Sequence, residues 1–310
     1  MTPPLPQGSG PRPAARLPWL RVAAVLVVCA AAWFWLSRHA DLQLLAGRAG
    51  QLPWWAWVLA AAGLLAGHAM RALRLQQEFR RLGHVPWRHC LRIVLAHNAL
   101  VLMLPLRTGE AGFLFAVRRQ WGVGWGVAAI ALLRWRLQDA AVLAVLAAAL
   151  LVPVPALQRV LLAAAAALVL HQALPWAWRW LRRRAGDAAN DDAADDRFWA
   201  GAGASIALWT LKVLANGGLL AALTGLAWTT AWRAALGGEL AGVQPLQPPA
   251  GLGVYEAGIW LAAHVAPALE PTVVSAALAV HAFSLAVALG AAAVTQLAVP
   301  PALPLSEEIC

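Results

Sequence analysis

The chain has 310 residues, 61% of them hydrophobic and only 12% charged, with a formal net charge of +10. A soluble globular domain carries about 25% charged residues, and several apolar runs here reach the roughly 20 residues that cross a bilayer as helix, which excludes a soluble enzyme. A β-barrel is excluded because the runs are continuous rather than alternating, and the positive charge lies in arginine-rich segments between runs, as cytoplasmic loops require, with no motif of a nucleic-acid binder.

Residues 1–16, rich in Pro, Gly and Arg, are predicted to be a disordered tail. The apolar run 17–36 continues through "WFWL" without a small-residue cleavage site, which favours a retained anchor over a signal peptide. A second predicted span, 53–73, leads into an arginine cluster expected on the cytoplasmic side: Arg71, Arg74, Arg80, Arg81, Arg88 and Arg92. The stretch 86–117 is apolar but broken by "LPLRTGEAG". Spans are predicted at 123–151 and 157–180, the latter ending in "RWLRRR" and opening a polar linker at about 182–197. A further span covers 198–223, and a second broken stretch, 232–256, contains "QPPAGLGVYE". Two last spans fall at about 258–268 with its lead-in and at 272–299, before an acidic tail at 301–310.

The fold class expected is therefore an all-α polytopic membrane protein. Residues 17–300 form a single transmembrane domain of about seven helices plus two re-entrant, broken-helix stretches. If neither broken stretch crosses, the N-terminus is cytoplasmic, both arginine clusters lie inside and the C-terminus is external. The broken stretches would then enter from opposite faces, as the halves of an inverted repeat do. Cys29, Cys90 and Cys310 make no metal-binding spacing, and no metal or other cofactor is indicated.

Ionisable residues at membrane depth cost roughly 2.5 to 3.5 kcal/mol each on insertion scales and face protein or water rather than lipid. Arg107 and Glu110 share a helical face at i, i+3, and Arg136 and Asp139 repeat that spacing in a predicted span. Glu256 follows "GLGVY", and Arg134 lies in the same span as Arg136. Lys212 is the only lysine among 24 basic residues, and it sits in the apolar run "IALWTLKVLANGG". A compact ammonium differs there from a planar guanidinium, although a snorkelling lysine is the plainer account. Pro105, Gly109, Pro249, Gly251 and Gly253 interrupt helix, and the backbone groups they free persist at depth only beside protein or water. Arg107, Glu110, Arg136, Asp139, Lys212 and Glu256 are thus the expected substrate-binding residues, gathered around a polar cavity.

"NALVLMLPLRTGEAG", "RWRLQD" and "PPAGLGVYEAG", in that order, resemble the lysylphosphatidylglycerol synthetase transmembrane-region family of flippase-like membrane proteins. The resemblance covers about residues 20–300. The sequence departs from the family at Phe113, where an arginine is usual, and at Trp135, where a glutamate is frequent, and His281 stands for a basic residue in the last span. It carries no counterpart of the family's cytosolic aminoacyl-transferase domain, so synthesis of lysyl-lipid is not expected.

The resemblance implies a translocase of a phospholipid or lipid-linked glycan precursor in a bacterial inner membrane, or a subunit of one. Its partners would be that lipid and a glycosyltransferase or other envelope-biosynthesis protein. Arg107, Arg136 and Lys212 would meet an anionic headgroup, with Glu110, Asp139, Glu239 and Glu256 as their counter-ions. Two other readings stand beside it. "NDDAADD" contains the DDxxD spacing of magnesium-diphosphate enzymes, although in an alanine-rich linker beside "RRR" a solvated charge run is the preferred account. A scaffold that serves a glycosyltransferase without transporting anything is the third. No nucleotide-binding loop is present, so direct use of ATP is not expected.

Overall fold

Within hydrocarbon only a helix pairs every backbone N–H and C=O inside its own segment, and alanine- and leucine-rich runs form helix readily. The computed structural model describes residues 27, 30–31, 33–80, 85–104, 108–184, 198–244 and 248–299 and is all-helical in its regular elements across them. The tails at 1–16 and 301–310, Pro105, Arg107 and the aspartate run Asp191, Asp192, Asp195 and Asp196 lie outside the described residues. In chain order the helices are α1 (Leu42–Gln51), α2 (Trp54–Phe79), α3 (Trp87–Met103), α4 (Glu110–Trp121) and α5 (Trp125–Leu150). They continue with α6 (Ala156–Arg184), α7 (Ala202–Thr224), α8 (Trp228–Gly242), α9 (Val254–Ala263) and α10 (Glu270–Ala298). Short 3-10 turns at Pro249–Gly251 and Pro267–Leu269 precede α9 and α10.

Among the described residues, four stretches are long and apolar enough to cross a membrane: Trp54–Phe79, Ala156–Trp180, Ala202–Thr224 and Pro267–Ala298. They fall on four of the predicted spans and fit a helical membrane protein. α5 is as long as α2, at 26 residues, but Arg134, Arg136 and Asp139 interrupt its apolar surface, so its placement depends on partners for those charges. α9 corrects the prediction at 258–268. It has 10 residues, about 15 Å at the helical rise, against a hydrocarbon core of roughly 30 Å. His264 ends it in the left-handed region at φ 48°, and Pro267 starts a new turn. The expected span there is a short helix, and the count of seven loses that member.

The two broken stretches each fold into an antiparallel helical hairpin. In the first, α4 returns along α3 so closely that a Cβ on Gly109 would strike the backbone of Leu100, and one on Gly112 would strike its side chain. In the second, Gly237 of α8 and Gly258 of α9 meet backbone to backbone, each leaving no room for a Cβ on the other. Further along, the Arg233 guanidinium donates to the Ala262 carbonyl at 3.1 Å. The loop between α8 and α9 turns through left-handed residues at Ala250 (φ 59°), Gly251 (φ 71°) and Gly253 (φ 82°).

A long helix, a hairpin and another long helix thus occur twice, as α2–α3/α4–α5 and as α7–α8/α9–α10. Each set has its own apolar core. Leu75, Cys90, Phe113, Val117, Trp121 and Ala128 fill the first, and Leu220, Ala234, Ile259, Val273 and Val280 the second. Leu143, Leu208, Trp209 and Leu236 join the two. α2 and α7 cross at close range through Gly63 against Ala215 and Gly67 against Leu208. The Gln296 amide near the end of α10 donates to the Arg92 carbonyl near the start of α3, at 3.1 Å. The last helix therefore ends beside Arg92, a member of the first arginine cluster.

Candidate functional site

Pairing of charges between helices builds the site. Arg74 of α2, with a side chain only 3% exposed, donates to Asp139 Oδ1 at 2.9 Å and to Gln138 Oε1 at 2.5 Å. Its guanidinium also lies 5.0 Å from the Trp135 ring centroid. Ser205 of α7 donates to the same Asp139 oxygen at 2.8 Å, so this carboxylate ties α2, α5 and α7 together. Arg134, on another face of α5, pairs with Glu78 near the end of α2. Arg136 reaches Glu110 Oε1, in the first turn of α4, at 2.5 Å, and His97 Nε2 lies 3.9 Å from the other oxygen of that carboxylate.

In the second set the buried Glu239 of α8 is the hub. Lys212 Nζ donates to its Oε2 at 2.5 Å, and Asn216 Nδ2 and the Tyr255 hydroxyl donate to its Oε1 at 3.0 Å each. Ser284 of α10 donates to Asn216 Oδ1 at 2.9 Å. Glu256, fully buried, takes the Gly253 N–H on Oε2 at 2.6 Å and has His281 Nδ1 2.8 Å from Oε1. The His281 ring packs against Tyr255 with centroids 4.3 Å apart.

These networks surround a cavity of about 170 Å³ whose wall includes Arg71, Asn98, Arg136, Asp139, Lys212, Glu239 and His281, together with Ala250 and Gly251 from the second hairpin loop. The 3-10 turn at Pro249–Gly251 rests against α3, so the two hairpins meet at this space. Among the described residues, His68 Nδ1 and Trp209 Nε1, on residues of the cavity wall, are buried without a hydrogen-bond partner. Among the described residues no group of three or more His, Cys, Asp or Glu is placed to hold a metal ion.

Of the residues singled out from the sequence, Arg136, Asp139 and Lys212 line the cavity. Glu110 stands behind Arg136, and Glu256 behind His281. Arg107 lies outside the described residues. Gly251 is in the cavity wall, Pro249 opens the turn and Gly253 precedes α9. Arg71 and Arg74, expected in a cytoplasmic loop cluster, instead belong to α2. Arg71 lines the cavity and donates to Asn98 Oδ1 at 2.9 Å, and Arg74 is buried. The apolar run stops near residue 73, whereas the helix continues to Phe79, so hydropathy left Arg74 outside the span, while Arg71 falls within it and faces the cavity.

A second signal lay in the sequence. "EAG" occurs at Glu110–Gly112 and again at Glu256–Gly258, and the two copies are structurally alike. Each glutamate lies in the first turn of the second hairpin helix. Each glycine packs on the first hairpin helix. Each glutamate pairs with a basic side chain on the long helix that follows, Arg136 in one case and His281 in the other. Three residues on, Asp139 and Ser284 each bond a polar side chain of α7, Ser205 and Asn216.

Fold and site together define an all-helical membrane protein with a charged internal cavity where two helical hairpins meet. No protein-family model matches the chain, and no curated protein matches it.

Proposed function

We propose that the protein is a translocase: it takes the anionic headgroup of a phospholipid or lipid-linked glycan precursor into the central cavity and passes it across the membrane, leaving the acyl chains in lipid. The observation that carries this is the convergence of Arg71, Arg136 and Lys212 on one cavity among helices apolar enough to cross a membrane. Among the described residues the hydrogen-bond partner of Arg71 is the neutral Asn98, so its fork of donors matches a phosphate oxygen pair. The ordered motifs that resemble the lysylphosphatidylglycerol synthetase transmembrane region support the same reading, with that family as the proposed relationship. The proposed setting is a bacterial inner membrane beside envelope-biosynthesis enzymes.

The architecture that goes with it has six spans: the run 17–36, α2, α5, α6, α7 and α10. The α3/α4 and α8/α9 hairpins enter from opposite faces as halves of an inverted repeat. The twofold "EAG" arrangement supports this symmetry. So does the unequal exposure of its two pairs, 24% and 35% for the side chains of Glu110 and Arg136 against 0% and 7% for Glu256 and His281. One pair stands open to water and the other is sealed, as one state of an alternating cycle requires.

The test is lipid analysis of protein purified in mild detergent, followed by reconstitution into phosphatidylglycerol vesicles containing a fluorescent tail-labelled phosphatidylglycerol. An anionic phospholipid or lipid-linked phosphate should co-purify with the wild type and be depleted from Arg136→Ala and Lys212→Ala. Dithionite should quench inner-leaflet label faster with the wild type than in empty vesicles. Lipid retention equal in all three proteins, with quenching no faster than in empty vesicles, overturns the reading.

A further inference from the structure

The twofold arrangement has one chemical asymmetry. In the first half the base paired with the hairpin glutamate is Arg136, which stays charged at every physiological pH. In the second half it is His281, a histidine, the residue type most often used as a proton-sensing switch. We infer that the Glu256–His281 pair is a proton-binding site, loaded from the cavity, and that proton occupancy there drives the opening of the second hairpin. The coupling to lipid movement rests on the translocase reading; the proton site itself rests on the geometry of the pair.

His281 stands between the cavity and the buried Glu256, with Nδ1 at 2.8 Å from the carboxylate. The other carboxylate oxygen takes the Gly253 N–H at the start of α9. A proton arriving from cavity water binds the imidazole and leaves the carboxylate as its counter-ion, so the pair changes from net −1 to net zero. The loaded pair then matches Arg136–Glu110 in charge. The unloaded pair leaves a lone carboxylate in a site with no exposure, an arrangement that costs several kcal/mol and is relieved when water reaches the hairpin tip. Proton release therefore favours the state in which the sealed half opens. The two protonation states belong to the pair rather than to either residue.

The charged and titratable groups facing this pair come from every element around it. Tyr255 of α9 stacks on His281 and donates to Glu239 of α8, which also holds Lys212 of α7. Across the cavity stand His68 and Arg71 of α2 and His97 of α3. Glu239 is occupied by three donors, and the Arg71 guanidinium stays charged. His68 and His97 are the other histidines of the cavity wall, and the measurement must resolve them from His281.

Protein labelled with ¹⁵N-histidine in nanodiscs is titrated by NMR over the pH range in which it stays folded, with His281 assigned by its loss in His281→Gln. The His281 ring signals should report protonated imidazole at one end and neutral imidazole at the other, and Glu256→Gln should change that titration while the His68 and His97 signals keep theirs. In the phosphatidylglycerol vesicles an imposed pH gradient should change the quenching rate of the wild type, by up to about tenfold per pH unit for a single proton. The His281→Arg protein, which copies the first half, should not respond. A His281 ring that keeps one protonation state throughout, or a titration indifferent to Glu256→Gln, overturns the proton site. Normal titration with gradient-independent lipid movement overturns the coupling. Normal titration with no lipid movement under any condition overturns the translocase reading and leaves the proton site standing.

Discussion

At the scale of the residue, burial decides which charge pairs hold the protein together. The Glu239 side chain is 3% exposed and that of Lys212 29%, and Glu239 also satisfies Asn216 and Tyr255. Removing one partner of a buried pair costs about 3–5 kcal/mol because the other charge is stranded. Lys212→Met and Glu239→Gln should each lower the melting temperature in detergent, and the double variant should recover much of the loss. Additive losses would show that the two side chains act independently. Glu110 and Arg136 are half-open to water, where an ion pair contributes roughly 1 kcal/mol or less. Glu110→Gln should therefore leave the melting temperature almost unchanged while stopping lipid movement; a large loss of stability would make the pair structural. Lys212, Arg136, Asp139 and Glu256 were legible in the sequence because a charge inside an apolar run needs a reason. Which charge pairs with which was not. Arg74 and Asp139 are 65 positions apart, and no local pattern links them.

At the scale of the element, both hairpins depend on glycines whose role is proximity rather than backbone freedom. A Cβ on Gly258 would overlap the Gly237 carbonyl, whereas one on Gly290 of α10 meets nothing within 4 Å. Gly258→Ala should force α8 and α9 apart, at a cost of about 1–3 kcal/mol or more for overpacking, and should reduce the monodisperse fraction on size exclusion. Gly290→Ala should stabilise by roughly 0.5–1 kcal/mol through the restricted unfolded chain and better helix propensity. Equal behaviour of the two would mean that the hairpin yields. The breaks themselves were visible in advance, because Pro and Gly clusters at "LPLRTGEAG" and "QPPAGLGVYE" stop helices wherever they occur. What the helices do after the break was hidden. "VYEAGIWLAAHV" is as apolar as a span, and only its packing against α8 and the turn at His264 show that it ends after 10 residues.

At the scale of the whole molecule, those 10 residues change the sidedness of the chain. With α9 as a span, the chain would end opposite its arginine clusters. With α9 as half of a hairpin, α10 runs back to them, and the Gln296 contact with Arg92 places its end there. Arg80 caps the end of α2, Arg88 lies in the first turn of α3, Arg118 and Arg119 in the last turn of α4, and α6 closes on Arg182, Arg183 and Arg184. Arginine in short connections stays cytoplasmic because its translocation is unfavourable, so in the proposed six-span architecture all of these ends are cytoplasmic. The connection between α5 and α6, "LVPVP" at 151–155, carries no charge and in the same proposed architecture lies outside. Reporters fused after Arg184 and after Cys310 should therefore both show cytoplasmic activity, and a cysteine placed at Val152 should label from outside intact cells with an impermeant maleimide. A fusion after Cys310 active only outside would restore a seventh crossing. Since α10 is anchored beside α3, that crossing would have to come from α8/α9, and the shared cavity between the two hairpins would be lost with it.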